Sequence, residues 1–245
     1  MGSTIYNELS LDNQDLKNNN SDNLFDSIIG YEDIKKIFEH AITSQYSVHI
    51  LLTGAPGSAK TLFLLECFKK LDNAYFADNN STGSGIIDYL FEHPNIKYLL
   101  IDEFEKLSKN DQNVLLNVME TGILTSTKVK RTKSIKLNLK IFATSNNIEL
   151  LSEPIQSRFL RLHLKEYDQK TFHTIVVGLL NKEYGKNKEF CAAIADHVWN
   201  KMKSRDVRDA IKIAKLAPTI KDVDWIVNTI LKHNNKNIRL EELHN

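Results

Sequence analysis

Apolar positions along the chain keep two rhythms from Leu24 onward. Short apolar runs predict strands near 48–53, at 74–76, at 98–101, near 139–144 and at 159–164. Helically spaced apolar residues between them predict helices near 31–43, 60–71, 84–92 and 109–120. Alternation of this kind predicts an α/β fold, a parallel sheet covered by helices. From about 166 the strands stop. Segments near 168–183, 187–202, 204–217 and 220–233 all carry helical spacing, with Gly185 and Pro218 as punctuation. The expected division is a tail over 1–23, an α/β domain over 24–165 and a smaller all-helical domain over 166–245. The tail is rich in Asn and Asp and has too little apolar area to offset the entropy of ordering, so it is expected to be disordered.

Composition narrows the class. Of 245 residues, 42% are hydrophobic and 26% charged, as in globular chains rather than disordered ones. No run approaches eighteen apolar residues and no leader pattern opens the chain, so the expectation is a cytoplasmic protein without a membrane span. Two cysteines, Cys67 and Cys191, give neither a disulfide framework nor a metal-ligand spacing, and the eight histidines show no metal spacing. A net charge of +1 gives no global pull on nucleic acid, so any such partner must be argued locally.

The chemistry begins at Gly54-Ala55-Pro56-Gly57-Ser58-Ala59-Lys60-Thr61, between a predicted strand and a helix that opens toward Leu62. It is the pattern G-x-x-x-x-G-K-[ST] with Ala59 in place of the second glycine. Backbone N–H groups and the positive helix end suit phosphates, with Lys60 as a point charge and the Thr61 hydroxyl as a Mg²⁺ ligand. Tyr98-Leu99-Leu100-Ile101-Asp102-Glu103 is an apolar strand ending in two carboxylates. Strand ends of a parallel sheet gather on one edge, where Asp102 could hold Mg²⁺ and Glu103 could act as general base on water. Asn146 ends the next such strand and could orient that water. Arg158 precedes the last strand; it could stabilise charge on a γ-phosphate, or it is an ordinary surface arginine. His49 reads as a packed core histidine, and Trp199 and Trp225 as core anchors of the helical region.

These motifs, in this order, resemble the AAA+ ATPases over about 25–216. The resemblance implies ATP and Mg²⁺ as cofactors, Gly54 to Thr61 as Walker A, Leu99 to Glu103 as Walker B and Asn146 as sensor 1. It implies Arg158 as an arginine finger acting in trans within a homo-oligomeric ring, a hexamer by family habit. Arg208 matches sensor 2 of the lid, with Arg205 one turn away as the competing choice, and Ile28-Ile29-Gly30-Tyr31 resembles the segment that packs on adenine, placing Ile29 and Gly30 at the nucleotide. MCM helicases are similar in carrying Ala before the Walker lysine. On that basis the extra methyl of Ala59 is expected to cost little, provided its backbone is helical or in the bridge region.

Residues 119–140 read as a β-hairpin with a basic tip inserted before the sensor 1 strand. The insertion resembles that of the RuvB branch-migration motors, and similar hairpins mark MCM and MoxR proteins. Six Lys or Arg and no acid lie between Thr121 and Asn147. Lys128, Lys130, Arg131 and Lys133 could meet DNA or an acidic partner, or serve only to protect a strand edge. RuvB carries a winged-helix domain after its lid, and the residues left here do not suffice for one. The resemblance implies an ATP-driven oligomeric motor in DNA processing. A MoxR-like protein-remodelling chaperone and a nucleotide-gated assembly module that scarcely hydrolyses ATP are the alternatives.

Overall fold

The computed structural model describes residues 24–78, 81–128 and 131–233. The expected tail over 1–23 and the hairpin residue Lys130 lie outside them. The chain divides into two compact units at 164/165, with the short stretch 55–58 grouped with the second.

In the first unit the order is α1 (Glu32–Thr43), β1 (Ile50–Gly54), α2 (Lys60–Lys70), β2 (Ala74–Ala77), α3 (Gly83–Glu92), β3 (Tyr98–Ile101) and α4 (Lys109–Thr121). There follow β4 (Ile123–Lys128), β5 (Arg131–Lys136), β6 (Lys140–Ser145), α5 (Glu153–Arg158) and β7 (Leu160–Leu164). Five strands form one parallel sheet in the order β2-β3-β6-β1-β7, while β4 and β5 pair antiparallel as a separate hairpin. The inner strands β1, β3 and β6 read as largely apolar runs because both faces are covered, whereas the edge strand β7, Leu160-Arg161-Leu162-His163-Leu164, is mostly exposed. Alternation survives inside the inner strands: Leu51, Leu99, Ile101 and Ile141 face one core with α3, α4 and the hairpin base, whereas Ile50, Leu52, Leu100 and Phe142 face the other with α1 and α2. Phe38 anchors the second core, stacked on Phe63 at 5.4 Å and edge-on to Phe142 at 5.1 Å.

The hairpin is tied to the core at its base. Leu124, Leu137 and Leu139 are buried there, and the Leu137 amide donates to the Gly122 carbonyl at 2.7 Å. Gly122 ends α4 in the left-handed region (φ 69°), and a Cβ on it would stand 3.0 Å from the Leu137 carbonyl oxygen, so glycine suits the position on both counts. Lys140 leaves the basic cluster altogether. Its buried ammonium donates to the carbonyls of Ala41, Ile42 and Ser44 at 2.8, 2.8 and 2.6 Å. Those oxygens lie at the carboxyl end of α1, so the lysine satisfies acceptors the helix leaves unmade.

The second unit contains α6 (Gln169–Tyr184), α7 (Lys188–Asp196), a π-turn over His197–Lys201, α8 (Val207–Leu216) and α9 (Ile220–His233). Phe172, Val176, Leu180, Ile194, Ala210, Val223 and Val227 form its core. Trp199 packs on that core, its ring 5.3 Å from Phe172. Trp225 does not: it is 68% exposed. The buried stripe of α9 runs through Val223, Ile226 and Val227, and Trp225 projects about 100° away from Ile226 around the helix.

Candidate functional site

The turn after β1 carries unusual backbone. Gly54 has φ 144° and Gly57 φ 84°, values that favour glycine, and Ala59 has φ 64°. The expected helical or bridge conformation for Ala59 is therefore corrected. With φ 64° and ψ 8° it is left-handed, where a Cβ costs about 1–2 kcal/mol. That bend makes Ala59 the N-cap of α2 without a side-chain cap, and no acidic residue lies in the first turn. The helix start thus keeps the positive character that suits anions. Lys60, the first residue of α2, is buried and its ammonium donates to the Gly54 carbonyl at 2.7 Å. Ser58 Oγ donates to the Ala55 carbonyl at 2.7 Å.

At the carboxyl end of β3, register does the positioning. Ile101 is level with Ala143 of β6, which sets Asp102 beside Thr144. Thr144 Oγ1 donates to Asp102 Oδ1 at 2.6 Å and accepts from the Glu103 amide at 2.8 Å. Thr61 Oγ1 shares its proton between Asp102 Oδ1 and Oδ2, at 3.0 and 3.2 Å. Burial raises the Asp102 carboxyl above the usual carboxylate range, and the two hydroxyls and the Lys60 charge oppose that rise. Glu103 is itself left-handed (φ 55°, ψ 58°), a strained backbone for a non-glycine. Its Oε1 accepts from Asn146 Nδ2 at 2.7 Å and its Oε2 is ion-paired with Lys106, whose ammonium that carboxylate stabilises, raising its pKa. The Asn146 amide in turn donates to Glu105 Oε1 at 2.8 Å.

Lys60, Thr61, Asp102, Glu103 and Asn146 are thus joined through short contacts at one edge of the sheet. The Thr61 hydroxyl and Asp102 carboxylate form a pair of hard oxygen donors, which fits Mg²⁺ because that ion takes few protein ligands and keeps its waters. Among the described residues, no group of three or more His, Cys, Asp or Glu is placed to hold a metal ion. Nearby, Ile28 is buried, Ile29 is 41% exposed and Gly30 takes φ 82°. Tyr31 lies edge-on to Phe63, 6.2 Å between rings, so this segment flanks the first turn of α2 beside Leu62.

Each of the candidate arginines has contacts of its own within its unit. Arg158 closes the short helix α5, which follows an N-cap at Ser152 and Pro154 in its first turn; six residues are too few to show a period in the sequence. Its Nη2 is bonded to Glu120 Oε1. In the second unit Arg208 Nε donates to both Asp206 oxygens at 2.9 Å, and Nη2 lies 2.7 Å from Oδ2. Burial would raise the Asp206 carboxyl, but the Arg208 side chain and amide outweigh it and leave it below the usual range. The Arg205 guanidinium carbon lies over Trp199, 3.4 Å from the ring centroid, and the side chain donates to the Trp199 carbonyl. That contact occupies Arg205 in packing.

Thr144, Glu105, Lys106 and Glu120 are the site neighbours that sequence reasoning missed. Only Thr144 had a usable signal, since a parallel pairing of the 98–101 and 139–144 runs brings it beside Asp102. The hairpin register sets Lys128 opposite Arg131 and Ser126 opposite Lys133; Lys133 and Lys136 are exposed.

A twisted parallel sheet with a phosphate-loop turn after β1 and paired acids after β3 defines a P-loop ATPase fold. Residues 50–167 match the family "ATPase family associated with various cellular activities (AAA)", and the chain carries an AAA ATPase domain there. The Xenopus tropicalis DNA replication licensing factor mcm2 is 27% identical over a stretch covering 54% of this chain and 20% of that protein. Replication factor C subunit 3 of Schizosaccharomyces pombe is 24% identical, covering 65% of this chain and 47% of that protein. The chain thus spans about a fifth of the mcm2 length and about half of the replication factor subunit. The Thermotoga maritima RuvB Holliday junction branch migration motor shares the fold, with TM-score 0.60 at 20% identity over 83% of this chain and 70% of that one. Among the described residues, no helix is long and apolar enough to cross a membrane.

Proposed function

We propose that this protein is an ATP-hydrolysing oligomer that remodels DNA. The observation that carries the reading is the joint anchoring of Asp102 and Glu103 on Thr144, which sets a cation-binding carboxylate and a candidate base side by side next to Lys60 and Thr61. Lys60 and the amino end of α2 bind the phosphates. Thr61 and Asp102 hold Mg²⁺, which when bound neutralises charge on the β- and γ-phosphate oxygens. Glu103 takes the proton of the attacking water, and Asn146 fixes the rotamer from which it does so. Arg208 is the lid residue assigned to sense the nucleotide. Arg158 serves the nucleotide of a neighbouring subunit in a closed ring, with a hexamer as the expected size, so a lone subunit is a poor ATPase. DNA as substrate is supported by the relatives and by the basic stretch of sequence that carries Lys128, Lys130, Arg131 and Lys133 without an acid.

Steady-state ATP hydrolysis with and without DNA tests this. Glu103→Gln is expected to bind ATP as the parent does while losing at least about a hundredfold in turnover; retained turnover removes Glu103 as the base. Neutralising the four hairpin cations is expected to abolish salt-dependent DNA binding. Unchanged binding, or hydrolysis indifferent to DNA, favours a protein-remodelling role instead.

A further inference from the structure

Arg158 and Glu120 both stand at helix carboxyl ends. Arg158 is the last residue of α5, and Glu120 lies one residue before the end of α4, directly ahead of the hairpin. A carboxylate there is disfavoured by the helix dipole, since the unmade carbonyls of the last turn also point toward it. A guanidinium placed beside it is favoured by both helix ends and by the carboxylate. The pair is 44% and 37% exposed, so its electrostatic strength is that of a surface ion pair and adds little to stability. Holding the fold together is therefore not what this contact is suited to do.

Its geometry suits a different task. The bond runs through Nη2 alone to a single carboxylate oxygen, whereas a guanidinium offers five N–H donors in a rigid fork. A carboxylate that grips one corner fixes the direction of the fork and leaves the other edge for a second anion. A free arginine side chain carries rotamer entropy, which it loses when it docks on a phosphate. Glu120 cannot outcompete a triphosphate of three or four negative charges for the arginine, so a role as a restraining latch does not fit. A role as a guide does.

We infer that Glu120 is a positioning residue for Arg158, orienting its guanidinium toward an anionic phosphoryl group presented by a second copy of this chain. The inference rests on the reading of Arg158 as a trans-acting arginine. Glu120 is followed within three residues by β4, the first strand of the hairpin.

The test is a double-mutant cycle on ATP hydrolysis by the full chain, measured over a range of protein concentrations. Glu120→Ala is expected to lower kcat at saturating protein about fivefold or more, with KM for ATP and nucleotide affinity unchanged. Glu120→Gln keeps an acceptor at the same place and is expected to recover most of that loss. In an Arg158→Ala background, Glu120→Ala is expected to change nothing further. If Arg158→Ala lowers hydrolysis while Glu120→Ala leaves kcat unchanged, or if the two effects multiply independently, Glu120 does not position Arg158. If Arg158→Ala itself leaves hydrolysis at its parental level, the trans-acting reading fails first and takes this inference with it. Circular-dichroism melting of each variant reports folding, and equal midpoints are expected because the pair is a surface one.

Discussion

The Thr61 hydroxyl shares its proton with both oxygens of the Asp102 carboxylate, 3.0 and 3.2 Å away, and so joins the first turn of α2 to the end of β3. Two elements forty-one residues apart thereby present hard oxygen donors to one point. Asp102→Asn is expected to keep nucleotide binding through Lys60 and the loop but to lose the gain that Mg²⁺ supplies, by about tenfold or more. Titration with a fluorescent ATP analogue, in EDTA and in excess Mg²⁺, reads both. Because burial raises the Asp102 carboxyl, the Mg²⁺-dependent gain of the parent protein should also weaken on acidification earlier than an ordinary aspartate would require. An equal Mg²⁺ gain in parent and variant would remove Asp102 from the metal site.

The left-handed Ala59 supplies the second prediction. Glycine adopts φ 64° freely, whereas alanine there costs about 1–2 kcal/mol, part of which glycine gives back through its more flexible unfolded chain. Ala59→Gly is expected to raise unfolding free energy by about 0.5–1 kcal/mol. The check is a pair of urea unfolding curves with a common slope. A lower midpoint for the variant would mean that the loop is not strained at this residue.

What the sequence made legible follows from how far each signal reaches. Strand β3 and the acids after it were plain because a doubly covered parallel strand is an uninterrupted apolar run and its polar end breaks abruptly. The helices α2, α4 and α6 were plain because each is long enough for several turns of period. Helix α5 was not, with six residues, and neither was the π-turn at His197, which interrupts a helix without disturbing its apolar spacing. The Ala59 conformation was misjudged because a single residue type does not report its own φ. Trp225 was misplaced because its apolar neighbours Ile226 and Val227 lie on the next face of the helix, a distinction of about 100° per residue. The contact of Glu120 with Arg158 depends on which helix end meets which, and no local pattern encodes that.

His49 gives a pH dependence whose sign can be worked out. Its ring is buried in β-sheet surroundings, Nδ1 accepts from the Ile141 amide at 3.0 Å, and Phe159 stands edge-on at 6.4 Å. Burial lowers its pKa from 6.5 to about 4, with the Met119 carbonyl opposing part of the shift. Between those two values the unfolded chain binds a proton that the folded chain refuses. Stability therefore rises with pH through this window: the contribution is whole above about pH 6.5 and is lost as pH falls toward 4. One such group removes about 2 kcal/mol between pH 7 and pH 5. His49→Asn keeps an acceptor for the Ile141 amide and cannot titrate, so its unfolding free energy should fall by about 2 kcal/mol less over the same interval. Urea unfolding at pH 7, 6 and 5 measures the difference, and parallel pH profiles for parent and variant would show that His49 is protonated as readily in the folded chain as in the unfolded one.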